Sequence, residues 1–192
     1  FQLPADKPWA VNIIDADKLI AQAKAARAAG AQIVVVAIHA GSEYQVLPND
    51  EQKRVFAALT ASPDIDLVYG HHAHVVQPLD KVNGKWVAYG LGNMVANQHI
   101  IPRLKVAQAE TLVEFTFTPA ADGRYAVIQV LARPGAMSNL DEPRRYVDLA
   151  TLLADPDVTA ARKAAYQPLY AAAVKALTAL RADEKGLLIA GR

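Results

Sequence analysis

The chain has 192 residues, of which 53% are hydrophobic and 20% charged, with a formal net charge of +1 and no cysteine. That is ample apolar material for a buried core. It excludes disulfides and thiolate metal sites, and it supplies no overall field that would draw nucleic acid or an anionic membrane. No apolar run approaches the roughly 20 residues that span a bilayer, and the length fits one domain or one domain with a helical appendage. The chain opens on Phe1 rather than Met, which predicts a piece of a larger protein or a removed leader.

Phe1 to Trp9 carries two prolines and no periodicity and reads as a lead-in arm. Trp9 to Ile14 alternates loosely, as a short strand would. Asp15 or Asp17 then caps a helix with apolar positions at Leu19, Ile20, Ala23 and Ala26, and Gly30 stops it. Gln32 to Ile38 holds five apolar β-branched residues with no polar break, predicting a strand covered on both faces that ends at His39. Pro48-Asn49-Asp50-Glu51-Gln52 is a helix start, with Asn49 as cap and Gln52 placed to bond back. Val55, Phe56 and Leu59 form its buried stripe, Ser62-Pro63 ends it, and the strand Leu67–Tyr69 follows. Strand, helix, strand with short connections predicts a right-handed parallel crossover.

Leu67-Val68-Tyr69 stops at Gly70, and His71, His72 and His74 follow within four residues. Histidines two apart in an extended segment point to one side, so His72 and His74 are expected to reach one ion or anion together. Asn83-Gly84 is a hairpin turn that folds Gln77–Val82 on Lys85–Tyr89 and returns Gly90-Leu-Gly-Asn93 to the histidine loop. Residues 98–109 read as irregular, with His99 on the surface. Glu110–Thr118 and Arg124–Arg133 alternate around Ala120-Ala-Asp-Gly123 as a second hairpin, and Ser138–Tyr146 reads as a polar linker. Asp155-Pro156 is expected to open a long alanine-rich helical region that Pro168 kinks or splits.

Ligands of open α/β sheets bind beyond the carboxyl ends of parallel strands. His39 ends one such strand, His71, His72 and His74 follow the next, Asn93 comes from the hairpin, and Glu43 lies four residues past His39. Nitrogen and oxygen donors without sulfur suit zinc, manganese or iron. Each residue alone has a plainer reading. His39 would be a hydrogen-bonded loop residue, His71 a turn holder, Glu43 a cap on the helix at Asn49, Tyr44 a packing residue and Gly92-Asn93 a tight turn. Together they predict a site at His39, His72 and His74.

His39-Ala-Gly-Ser-Glu43-Tyr44, Gly70-His-His-Ala-His-Val-Val-Gln77 and Tyr89-Gly-Leu-Gly-Asn93 resemble motifs of the bacterial capsule-synthesis CapA family, over roughly residues 9–97. The family is linked to poly-γ-glutamate capsule production, and its domain is similar to calcineurin-like metallophosphoesterases. The resemblance implies an α/β fold, a mixed parallel and antiparallel sheet with flanking helices. Residues 1–135 would be the C-terminal half of that domain and 136–192 a linker and helical segment. It implies His39, His72 and His74 as metal ligands, His74 and Asn93 as catalytic residues, and Glu43 and His71 as accessory ones. An extra histidine stands after the glycine of the Gly-His-x-His motif, and Ala40 stands where the family usually has tryptophan. The family's first half, with an aspartate and an asparagine–histidine pair of the metal centre, has no counterpart here, so a divalent metal (Mn, Zn or Fe) would find an incomplete site. The expected partners are the upstream half of the domain or another chain, and an anionic envelope polymer or phosphate ester, at an extracytoplasmic, cell-envelope location. The expected activity is a metal-dependent phosphoesterase in capsule synthesis. The alternative is a non-catalytic, polymer-binding or scaffold component of the capsule assembly and export machinery.

Overall fold

Two hydrogen-bonded turns and two helix caps lay out the first half of the molecule. The computed structural model describes residues 6–7, 9–94, 96, 107–121, 123–138 and 143–192. Asp15 caps α1 (Ala16–Ala28) by accepting from the Lys18 amide, and Gly30 leaves the helix at φ 98°. Strand β1 (Val35–His39) leads into α2 (Asp50–Ala61), whose start is a full capping box between Asn49 and Gln52. Strand β2 (Leu67–His71) lies parallel to β1, with Ile38 beside Gly70 and His39 beside His71. The Asn83-Gly84 turn, with φ 52° and 78°, joins β3 (Leu79–Val82) to β4 (Lys85–Ala88). Strand β4 runs parallel to β2, giving the mixed order β1-β2-β4-β3.

A second sheet packs behind the first. Strands β5 (Ala109–Pro119) and β6 (Tyr125–Met137) form the expected long hairpin around Gly123. The end of β6 also pairs with β7 (Tyr146–Asp148), and its middle pairs in parallel with β8 (Leu187–Ile189). Helices α3 (Leu149–Ala154) and α4 (Ala160–Leu177) lie between β7 and β8 in the chain. One core sits under α1 and α2 and contains Ile38, Phe56, Leu59, Ile65, Val68, Val87 and Tyr89. The other joins the first sheet to the second and to the end of α4, through Leu67, Leu79, Trp86, Val130, Leu177 and Ile189. The fold is thus α/β, a mixed sheet with flanking helices, and its C-terminal segment shares a core with the first sheet.

Several sequence expectations are corrected. Trp9–Ile14 forms no strand and pairs with none, and Trp9 and Ile13 are 77% and 71% exposed. Strand β1 is not covered on both faces. Val36 and Ile38 are buried under the helices, but Val35, Ala37 and His39 face outward because the second sheet packs on β2, β4 and β3 and stops short of β1. Asp155 ends α3 rather than opening a helix; Thr159 caps α4, whose side-chain oxygen accepts from the Arg162 amide. Helix α4 runs through Pro168 without splitting. The stretch read as a linker ends in a strand, since Tyr146 and Val147 pair with Met137 and Ala136. His99 and most of the irregular segment around it, 97–106, lie outside the described residues, as do Phe1–Ala5 and Pro8 of the lead-in arm.

Candidate functional site

Parallel pairing of β1 and β2 puts His39 and His71 side by side at the strands' carboxyl ends. Residues on alternate positions of a strand share a face, so His39 continues the outward row of Val35 and Ala37. Beyond His71 the chain bends sharply. The His39 and His72 ring centroids are 4.9 Å apart, and those of His72 and His74 are 6.4 Å apart. The three predicted histidines therefore lie in succession near one another at this end of the sheet. The reason given for their proximity does not hold, however. His72 and His74 have φ of 92° and 58°, left-handed backbone rather than extended strand. The bend between them, and not strand alternation, brings the His72 ring to His39 and the His74 ring to His72.

Tyr44, across the cleft, also has positive φ, at 63°. Left-handed conformations cost non-glycine residues about 1–3 kcal/mol and persist where surrounding contacts enforce them, often at functional sites. Here the enforcing contacts are visible. The Tyr44 amide donates to the Ala73 carbonyl at 2.7 Å, tying the Glu43 loop to the histidine loop, and the Tyr44 ring stacks on His74 with centroids 5.9 Å apart.

Asn93 fixes the His74 imidazole. Its Nδ2 donates to the His74 carbonyl at 3.2 Å, so its Oδ1 is the atom that accepts, 2.7 Å from His74 Nδ1. A carbonyl oxygen only accepts, which sets the amide's orientation and places the proton on Nδ1. The lone pair of neutral His74 is then on Nε2, 3.9 Å from the Glu43 carboxylate. Glu43 does not cap α2; Ser42 touches that helix start instead, its Oγ accepting from Asn49 Nδ2 at 3.2 Å. His39 is held below its ordinary pKa, first by partial burial and then by His72, His71 and His74, which favours a neutral ring with a free lone pair. His71 is exposed and makes an edge-on contact with Tyr69, ring centroids 5.1 Å apart.

Beneath the loops lies a buried pair that the sequence reading passed over. Gln52 and Gln77 are both 0% exposed. Gln52 Oε1 completes the cap on Asn49, while its Nε2 donates to Gln77 Oε1 at 2.7 Å and to the Tyr89 carbonyl. Gln77 Nε2 in turn donates to the Gln45 carbonyl at 2.9 Å. Four segments of the site thereby share one hydrogen-bond network, which is strongest when every member is satisfied. The capping-box pattern marked Gln52, but nothing in spacing shows that its amide reaches a second partner in the core.

The donor types fit a divalent ion, with neutral imidazoles and a nearby carboxylate. The geometry supplies part of a centre only. Among the described residues, no three His, Asp or Glu side chains converge closely enough to hold a metal ion.

Comparison with known proteins bears on the same stretch. The family described as "Bacterial capsule synthesis protein PGA_cap" matches residues 1–98, which hold every residue of the cleft. The chain belongs to that family. Among its relatives, the chain is 43% identical over 68 residues to the PGA biosynthesis protein CapA of Bacillus subtilis, a match covering 35% of this chain and 18% of that protein. It is 36% identical over 81 residues to the capsule biosynthesis protein CapA of Bacillus anthracis, covering 42% and 20% respectively. It is 32% identical over 119 residues, 60% of this chain and 30% of the relative, to a probable polyglutamine synthesis accessory protein of Mycobacterium tuberculosis. The matches thus span under a third of each of these relatives. Within the capsule synthesis family match, the second sheet contributes nothing, since β5 begins at Ala109.

Proposed function

We propose that this chain takes part in making a poly-γ-glutamate or capsule-type polymer at the cell envelope, and that its histidine cleft is one wall of a divalent-metal site of metallophosphoesterase type. The observation that carries the metal reading is His74: Asn93 holds its Nδ1 proton, leaving Nε2 free beside Glu43. Metal-ligating histidines characteristically donate the other ring nitrogen's proton to an oxygen, which fixes tautomer and raises basicity. In this reading His39, His72 and His74 are ligands, His74 doubling as a phosphate contact, and Asn93 orients it. Glu43 is the accessory carboxylate and His71 lies at the rim. A bound Mn, Zn or Fe ion would supply Lewis acidity and an activated water.

Catalytic metal sites use about three protein ligands with an open position. Among the described residues no three donors converge on one point, so the remainder is assigned to upstream sequence of the same domain or to another chain. Strand β1 offers the place for it, as the edge of its sheet, with Val35 44% and Ile33 38% exposed at its start. The test is manganese and zinc titration calorimetry on residues 1–192 and on a longer polypeptide carrying upstream sequence, with phosphodiester hydrolysis measured alongside. Weak binding by the first and tight binding with turnover by the second are the expected results. Equal, tight binding by both would refute the shared site. The same incomplete ligand set supports a second reading, a non-catalytic polymer-binding or scaffold component; polymer binding without metal dependence in the longer form would favour it.

A further inference from the structure

Among the described residues two buried side-chain polar atoms have no hydrogen-bond partner, Glu110 Oε2 and Tyr166 Oη. They come from different elements, the start of β5 and the second turn of α4, yet both residues line the same cavity of about 100 Å³. Each residue is 2% exposed. Buried polar groups are nearly always satisfied, because an unmade bond costs about 1–3 kcal/mol and a buried charge more. Two residues that each carry such an atom line one small space, which points to a ligand there that supplies the bonds. The remaining lining is mixed. Ala107, Met137, Ala165 and Leu169 are apolar, while Gln108 and Ser138 add polar groups. Ser138 Oγ is already engaged, donating to the Pro143 carbonyl and accepting from the Arg145 amide.

The chemistry of the lining selects the ligand. A free carboxylate oxygen asks for a donor and a positive charge, and a phenol oxygen accepts a second N–H. One carboxyl and one hydroxyl are too few for calcium or magnesium, which take six or more oxygens. An anion would be repelled by an ionised Glu110. The volume, about that of three waters, suits an ammonium head on a short carbon stem resting on the apolar wall.

We propose that the Glu110–Tyr166 cavity is a binding site for a primary ammonium group, with Glu110 Oε2 and Tyr166 Oη accepting its N–H bonds. The site is separate from the histidine cleft, although it lies behind it. The Thr111 amide donates to the Leu91 carbonyl, and a Cβ on Gly92 would sit 3.2 Å from the Glu110 Cα, so the strand carrying Glu110 supports the turn that delivers Asn93. Burial raises the Glu110 pKa to about 8, so at pH 7 its carboxyl is mostly protonated until a cation arrives. Binding therefore moves one proton: Glu110 O–H releases it to solvent as the carboxylate pairs with the incoming ammonium, and no covalent bond to the ligand forms.

The test is calorimetric titration of the intact protein with ethylammonium chloride at pH 7, in two buffers of different ionisation heat. Expected are saturable binding in the millimolar range and a buffer-dependent heat reporting release of most of one proton. Glu110→Gln should weaken binding at least tenfold and abolish the proton release. Tyr166→Phe should weaken binding several-fold and leave the release intact. Potassium and tetramethylammonium, which lack N–H donors, should not compete. Should Glu110→Gln fail to fold, the carboxyl ¹³C resonance of Glu110 in the unaltered protein gives the same answer, moving to its ionised position as ethylammonium is added. No saturable binding, equal binding by Glu110→Gln, or occupation by acetate in place of ethylammonium would each overturn the assignment. So would a Glu110 carboxyl resonance that ethylammonium leaves unmoved.

Discussion

Gly70→Ala perturbs the contact on which the site's geometry rests. Gly70 lies in β2 between Tyr69 and His71, and a Cβ built there would be 2.2 Å from the Tyr89 carbonyl oxygen and 3.1 Å from Phe56 Cζ. The obstructing oxygen is backbone, immediately past β4, so no rotamer change relieves it. The strands must part by roughly 0.8 Å to reach even the shortest tolerated contact, and overpacking of this kind costs about 1–3 kcal/mol. For a domain of this size that corresponds to a fall in Tm of up to about 10 °C. Because β2 carries the histidine loop and β4 leads to Asn93, the same displacement pulls on the 2.7 Å contact between His74 and Asn93. Gly84→Ala is the internal control. It meets nothing within 4 Å and strains only a φ of 78° at the hairpin turn, so it should cost about 1 kcal/mol and leave the histidines untouched. The assays are urea denaturation and ¹⁵N spectra of the imidazoles. If Gly70→Ala were no more costly than Gly84→Ala and left the His74 ring nitrogens unshifted, the close approach of β2 to Tyr89 would not be what fixes the site.

Asn93→Ala should release the His74 tautomer, detected as loss of the Nδ1-bound proton in long-range ¹⁵N correlation spectra, and should lower metal affinity of the completed site about 10–100-fold. His39 should titrate below its ordinary value of 6.5, and His72→Ala should raise it part of the way back by removing a neighbouring positive charge, readable by NMR titration. Glu110 should make stability fall as pH rises. Its folded pKa of about 8 exceeds the ordinary 4.5, so its contribution is fully present below about pH 4.5 and is lost as pH climbs through 8. Glu110→Gln should flatten that decline in denaturation curves taken between pH 5 and 9, and an unchanged slope would refute it.

The parts of the fold legible in the sequence are those set by local chemistry. Asn49 and Gln52 specify a capping box, Asn83-Gly84 a tight hairpin turn and Gly30 a helix stop, and each is formed as written. The cleft was legible for a related reason: His39, the Gly70 loop and Asn93 each lie where a parallel strand or its hairpin ends. What escaped depends on partners distant in the chain. The outward face of Val35 is decided by where the second sheet stops, and β8 exists because β6 has a free edge for Leu187–Ile189. The apolar run of β1 looks the same whichever face is open. Left-handed backbone at His72 and His74 is also absent from any spacing pattern, and the loop that holds it is tied to Tyr44 through the Ala73 carbonyl. Gln52 and Gln77 satisfy one another across 25 positions, a pairing without periodicity.

Strand β1 terminates its sheet among the described residues, with Val35 and Ile33 exposed near its rim. An uncovered strand edge is a template for another strand, and natural sheets blunt such edges with lysine, proline or bulges. Val35-Val-Ala-Ile-His39 carries none of these. The colloidal behaviour of residues 1–192 should therefore depend steeply on concentration, with self-association through added sheet hydrogen bonds. A charged substitution such as Val35→Lys should suppress it while leaving the buried Val36 and Ile38 in place. A strand laid along β1 would close that edge and keep copies of the chain from meeting there.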